Sequence, residues 1–129
     1  MILGSTDYSP LVLAYLGDAF FATLAREILV TGRNSSLSDL NAQSKSMVTA
    51  AAQAKMTERM IPLLTEEETR IFKSGRNAKS PHRSRSSTAI QYRMATGLET
   101  LYGYFWLNGM TERARELLRK CIEEQEGLS

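Results

Sequence analysis

Cysteine and histidine are almost missing from this 129-residue chain, which holds one of each, Cys121 and His82. One cysteine closes no internal disulfide, and with a single histidine there is no Cys/His cluster of the kind zinc requires. Cys121 sits in a charged helical stretch and reads as a partly buried small residue. Any metal must therefore be held by oxygen, which points to magnesium or manganese. Nucleophilic catalysis by a serine is not suggested either, because His82 falls in a flexible-looking loop. There is no cationic-then-apolar leader at the N-terminus, and no apolar run approaches the roughly 18 to 20 residues of a membrane span, so a cytoplasmic protein with no membrane partner is expected. No stretch alternates convincingly enough to be a strand, and there are no internal repeats. With 43% hydrophobic and 23% charged residues the chain has ordinary globular composition, and its length fits one domain over 1–129.

The formal charge of +2 averages two unlike regions. From Arg70 to Arg93 stand Arg70, Lys73, Arg76, Lys79, Arg83, Arg85 and Arg93 with no Asp or Glu, seven positive charges in 24 residues. The remainder holds nine cations against fourteen acids, a balance of −5. A basic zone on a mildly acidic body is the footprint of a polyanion binder.

The patterning is helical throughout. Ser9-Pro10 is a start signal, and Leu11 to Val30 is apolar on nearly every side, as suits a helix at the centre of a bundle or between subunits. Gly32 ends it. Ser38 or Asp39 can cap a second helix to about Ile61, with Leu40, Met47, Val48 and Ala51 inward, and Pro62 breaks it. Thr65 and Glu68 form a capping box for a helix to about Ser74, which Gly75 closes. Residues 75–86 read as an exposed loop. A long helix is expected from near Ser87 to Asn108-Gly109, and Thr111 caps a last one with Ala114, Leu117, Leu118 and Ile122 on its apolar stripe. The fold class is all-α.

Two acids stand in apolar surroundings. Asp18 lies within Leu11–Phe21, where an ionised carboxylate is costly unless paired, hydrogen-bonded or bound to a cation. The other reading is that Gly17-Asp18 marks a break and Asp18 caps a second segment. Glu99 lies within Ala95–Trp106, sharing a helix face with Thr96 and Gly103; it is either a ligand or a buried acid paired with a cation such as Arg26 or Arg93. If the two helices cross antiparallel, both acids can converge on one divalent cation. Beside a basic loop that combination suggests hydrolysis of nucleic-acid phosphodiesters.

Tyr15-Leu16-Gly17-Asp18-Ala19 resembles the signature of the ribonuclease III catalytic domain, and Leu98-Glu99-Thr100-Leu101-Tyr102-Gly103 resembles that family's second acidic motif. Ser74–Ser80 followed by Tyr92–Glu99 is closer still to the Mini-III ribonucleases, stand-alone domains without a duplex-RNA-binding module. The resemblance spans about residues 10–118 and implies a homodimeric helical bundle that binds magnesium, with manganese as a substitute, and cleaves double-stranded RNA. It implies Asp18 as catalytic aspartate and Glu99 as metal-binding glutamate, both as metal ligands. Arg76, Asn77, Lys79 and Ser80 match the family's loop and would contact the RNA backbone, joined by Arg83 and Arg85. Tyr92 and Thr96 stand as supporting residues around the acids. The implied task is trimming the ends of precursor 23S ribosomal RNA, with a ribosomal protein as a conceivable further partner. The alternative is a non-catalytic duplex-RNA-binding module in ribosome assembly. Larger relatives carry acids where this chain has Ala14 and Thr96, and many have one where it has Ala22, so the metal shell is thin in protein oxygens. The aromatics Phe20, Phe21 and Tyr104–Trp106 exceed what one small bundle needs, and part of them is expected at the dimer interface.

Overall fold

A computed structural model describes residues 8–32, 36–79 and 88–125. Among these residues the fold is all-α: α1 Pro10–Gly32, α2 Leu37–Met47, α3 Ala50–Met60, α4 Glu66–Arg76, α5 Ala89–Leu107 and α6 Thr111–Gln125, with one 3-10 turn at Ile61–Leu63. Side-chain caps set most of the helix starts. Ser36 accepts from the Asp39 amide at 3.2 Å, and Thr49 from the Ala52 amide at 3.1 Å. Thr65 and Glu68 close the expected capping box at 3.1 and 2.9 Å, and Thr88 with Gln91 forms a second at 3.0 and 3.2 Å.

The single helix expected up to Ile61 is two helices. Thr49 adopts an extended backbone and spends its hydroxyl on the amide of Ala52, which stops α2 and starts α3. Of the positions expected inward, Met47 is buried and Leu40 partly so, but Val48 and Ala51 face solvent. Pro62 falls in the 3-10 turn, and α4 continues through Gly75 to Arg76.

The helix at the centre is α5, not α1. Helices α1, α3 and α4 all pack on α5, and α6 closes the bundle against α3, α5 and α1. Helix α1 buries one stripe, Leu13, Gly17, Phe20, Phe21, Leu24 and Ile28, while Val12, Tyr15 and Val30 on its other side are exposed. Its apolar outer face made the sequence look buried all round. The aromatic cluster is mostly core of the single chain: Phe21 and Phe105 meet Tyr102 edge-on at 5.5 and 5.3 Å, all three fully buried. Trp106 stays half exposed, leaning on Phe20 at 5.1 Å. The α6 stripe is buried as expected, and Cys121 with it.

Helix α4 is stapled to α6 by Glu68, whose carboxylate accepts from Arg113 Nε and Nη2 at 3.0 and 2.9 Å and from the Thr65 amide. Burial raises the Glu68 pKa, but the Arg113 fork and the Thr65 donors outweigh it and hold the group below its ordinary 4.5. Its contribution is therefore present above about pH 4.5 and lost as pH falls through the lowered value. Glu68→Gln is expected to cost about 2 kcal/mol at neutral pH and to flatten the acid limb of a stability–pH curve, read by urea unfolding from pH 3 to 7.

Candidate functional site

The site is built on a crossing of two backbones. A Cβ placed on Gly17 of α1 would lie 1.7 Å from the carbonyl oxygen of Glu99, and one on Gly103 of α5 would lie 2.0 Å from that of Leu13. Only glycine at both positions lets the helices approach this closely. The contacts Pro10–Thr100, Leu13–Gly103, Gly17–Glu99 and Phe20–Trp106 lay the first half of α1 across the second half of α5, and this crossing brings Asp18 and Glu99 together. Gly75 of α4 is likewise set into α5, where a Cβ would lie 2.2 Å from Thr100 Oγ1. That hydroxyl is within bonding distance of two carbonyls, Pro10 O at 3.0 Å and Thr96 O at 2.8 Å.

Asp18 follows Gly17 in an unbroken α1, so it caps no second segment. Its side chain is exposed, unlike the apolar burial its neighbours in sequence suggest. Glu99 comes from the interior side. Burial is the main cause that pushes its pKa up to about 8, and a hydrogen bond to Asp18 and the Asp18 charge push the same way. The side-chain amide of Gln53, from α3, is the one polar group that lowers it. The neighbours that set its proton affinity are thus Asp18 and Gln53, not Arg26 or Arg93. Two carboxyl groups this close hold a proton between them unless a cation replaces it. Among the described residues no third Asp, Glu, His or Cys joins the pair. Ala14 is buried in the position where an additional acid would stand, and the Thr96 hydroxyl is engaged with Tyr92 O at 2.9 Å, within its own helix. Tyr92 is half-buried.

Gln53 escaped the sequence reading because it lies among alanines, and a lone glutamine in such a run carries no signal. The sign to look for is its helical spacing with Thr57 and Met60, both buried toward α5.

The end of α4 carries the basic group. Arg76 Nε donates to Asn77 Oδ1 at 3.2 Å, and its guanidinium lies 6.0 Å from the Phe72 ring centre. Arg76 and Asn77 line an open groove of about 470 Å³ with Ile90, Arg93 and Met94, so Arg93 joins them there. Lys79 is exposed just beyond. Arg70 is paired with Glu67, so part of the zone's charge is neutralised on α4 itself. Ser80, Arg83 and Arg85 lie outside the described residues, as does His82.

A family model of the Ribonuclease III domain matches residues 11–110. The chain is 39% identical to the Mini-ribonuclease 3 of Symbiobacterium thermophilum over 88% of each chain. It is 38% identical to that of Brevibacillus brevis over 94% of this chain and 90% of the relative. A crystal structure of a Fusobacterium nucleatum protein superposes with a TM-score of 0.79 at 31% identity, covering 92% of this chain and 95% of that one.

Proposed function

We propose that this chain, which belongs to the ribonuclease III family and is an endoribonuclease of the Mini-ribonuclease 3 type, cleaves double-stranded RNA with a divalent cation held by Asp18 and Glu99. The observation that carries the reading is the meeting of an exposed and a half-buried carboxyl at a glycine-lined helix crossing, on a molecule that also carries a basic groove between the end of α4 and the start of α5. The donor set is all oxygen and suits magnesium or manganese. Asp18 and Glu99 would hold such an ion, which would supply Lewis-acid polarisation of a phosphate and of water there. Asp18 presents its charge at the surface, where a phosphodiester can reach it, and Glu99 gives up its proton to bind.

Arg76, Asn77 and Lys79 grip the RNA backbone, and the basic run continues in sequence through Ser80, Arg83 and Arg85. Such contacts read the shape of an A-form duplex, whose phosphates and 2′-hydroxyls are exposed, and not its sequence. Resemblance to Mini-ribonuclease 3 supports the paired ends of precursor 23S ribosomal RNA as the substrate. The half-exposed Trp106 and a hollow of about 410 Å³ lined in part by Leu16, Ala19, Phe20 and Trp106 support a second copy of the chain on this face. Sedimentation velocity at micromolar concentration is expected to show a dimer, and a monomer there removes the homodimer from the reading.

The full chain incubated with perfect RNA duplexes, with and without magnesium, tests the function. Metal-dependent cleavage of both strands is expected, and Arg76→Ala with Lys79→Ala is expected to weaken duplex binding and reduce its salt slope by about 2. No metal-dependent cleavage across several duplexes overturns the proposal.

A further inference from the structure

We propose that Gln53 is a positioning residue for Glu99: its buried side-chain amide holds one oxygen of the ionised carboxylate, so that the group meets the divalent cation in one fixed orientation.

Gln53 is 2% exposed, on the face of α3 that packs on α5. Its backbone is fully engaged: the amide donates to Thr49 O at 2.9 Å and the carbonyl accepts from Thr57 Oγ1 at 2.6 Å. Its Nε2 is, among the described residues, the one buried side-chain nitrogen or oxygen without a hydrogen-bond partner. A donor left unsatisfied in an interior of Ala54, Met56 and Met60 is costly, and packing alone asks for an apolar residue there. The amide nevertheless reaches the Glu99 carboxyl closely enough to favour its charged form, without closing a full hydrogen bond. With Glu99 holding a divalent cation beside Asp18, its charged carboxylate would offer Nε2 the acceptor it lacks. Partners of this kind, one step behind a ligand, orient it and account for 10- to 100-fold in metal affinity.

The inference rests on the proposed metal site, and a test on the RNA-free protein separates the two. Manganese binding to wild type and to Gln53→Met is measured by electron paramagnetic resonance, beside thermal unfolding in a chelator. Methionine keeps the volume and removes the donor, so stability without metal is expected to hold or rise while manganese affinity falls about 10- to 100-fold. In cleavage assays the magnesium needed for half-maximal rate is expected to rise by a similar factor, with duplex binding unchanged. Equal manganese affinity in the two proteins overturns the role of Gln53 and leaves the metal site standing. No manganese binding by wild type overturns the metal site itself. A measurement independent of the variant's folding is the Gln53 side-chain amide signal of wild type: magnesium is expected to shift it and slow its hydrogen exchange, and an unmoved signal also overturns the role.

Discussion

Replacing Asp18 by Asn is expected to lower the rate of duplex cleavage by about three orders of magnitude or more, while fold and duplex binding stay near wild type. A thousandfold corresponds to about 4 kcal/mol, the scale of charge stabilisation that a metal-held carboxylate underwrites. Asp18 is exposed, so the exchange costs no packing. Full activity in this variant would remove Asp18 from the site. The same variant has a second signature in the absence of metal. The wild-type Glu99 carboxyl holds its proton up to about pH 8 where an unfolded chain loses it near 4.5, so the contribution of this group to stability is greatest below 4.5 and declines as pH rises to about 8. Burial is the main cause and remains in the variant, but the Asp18 contribution goes, and the decline becomes shallower. Calorimetry in chelator from pH 5 to 9 reads the difference.

Gly17→Ala is expected to be the most damaging small change in the fold. The added methyl would lie 1.7 Å from a backbone oxygen that no side-chain rotation can move, so α1 and α5 must part. Overpacking against backbone is expected to cost about 3 kcal/mol or more, which for a domain of this size lowers Tm by about 10 °C. Cleavage falls further than stability alone explains, because Asp18 moves away from Glu99 with the residue before it. Gly32→Ala is the control: nothing lies within 4 Å of its added methyl, and the helical position favours alanine, so Tm is expected to hold or rise. Equal Tm values for the two variants would contradict the backbone contact at the crossing.

What could be read before the structure was whatever depends on neighbours in sequence. The Thr65–Glu68 box, the stripe of α6 and the turn at Gly109, where φ is +67°, are local chemistry and stand where expected. The errors came where a residue answers to a distant partner. Gly75 reads as a helix stop, but it is inside α4 because Thr100 occupies the space its side chain would need. Asp18 reads as buried because its neighbours are apolar, but α1 has two faces and Asp18 lies on the open one. Motif resemblance singled out Asp18 and Glu99 as a pair, yet no motif contains Gln53, which reaches Glu99 from a third helix. The split between α2 and α3 was legible in principle, since Thr49 is as good a cap as Ser38, but the apolar residues beyond it suggested continuity.

Thr100 gives the molecule a common datum. Its hydroxyl touches the first turn of α1, its own helix one residue past Glu99, and the notch that seats α4 just before Arg76. The proposed phosphate contacts at Arg76 and the proposed cleavage site at Glu99 are thus both gauged from a single atom in the middle of the bundle. The offset between where a duplex is held and where it is cut is then a dimension of the folded helices, like the jaw-to-blade distance of a tool. If the proposed contacts hold, substitutions in the sequence beyond Lys79 are expected to alter which duplexes are accepted while the distance from grip to cut stays the same.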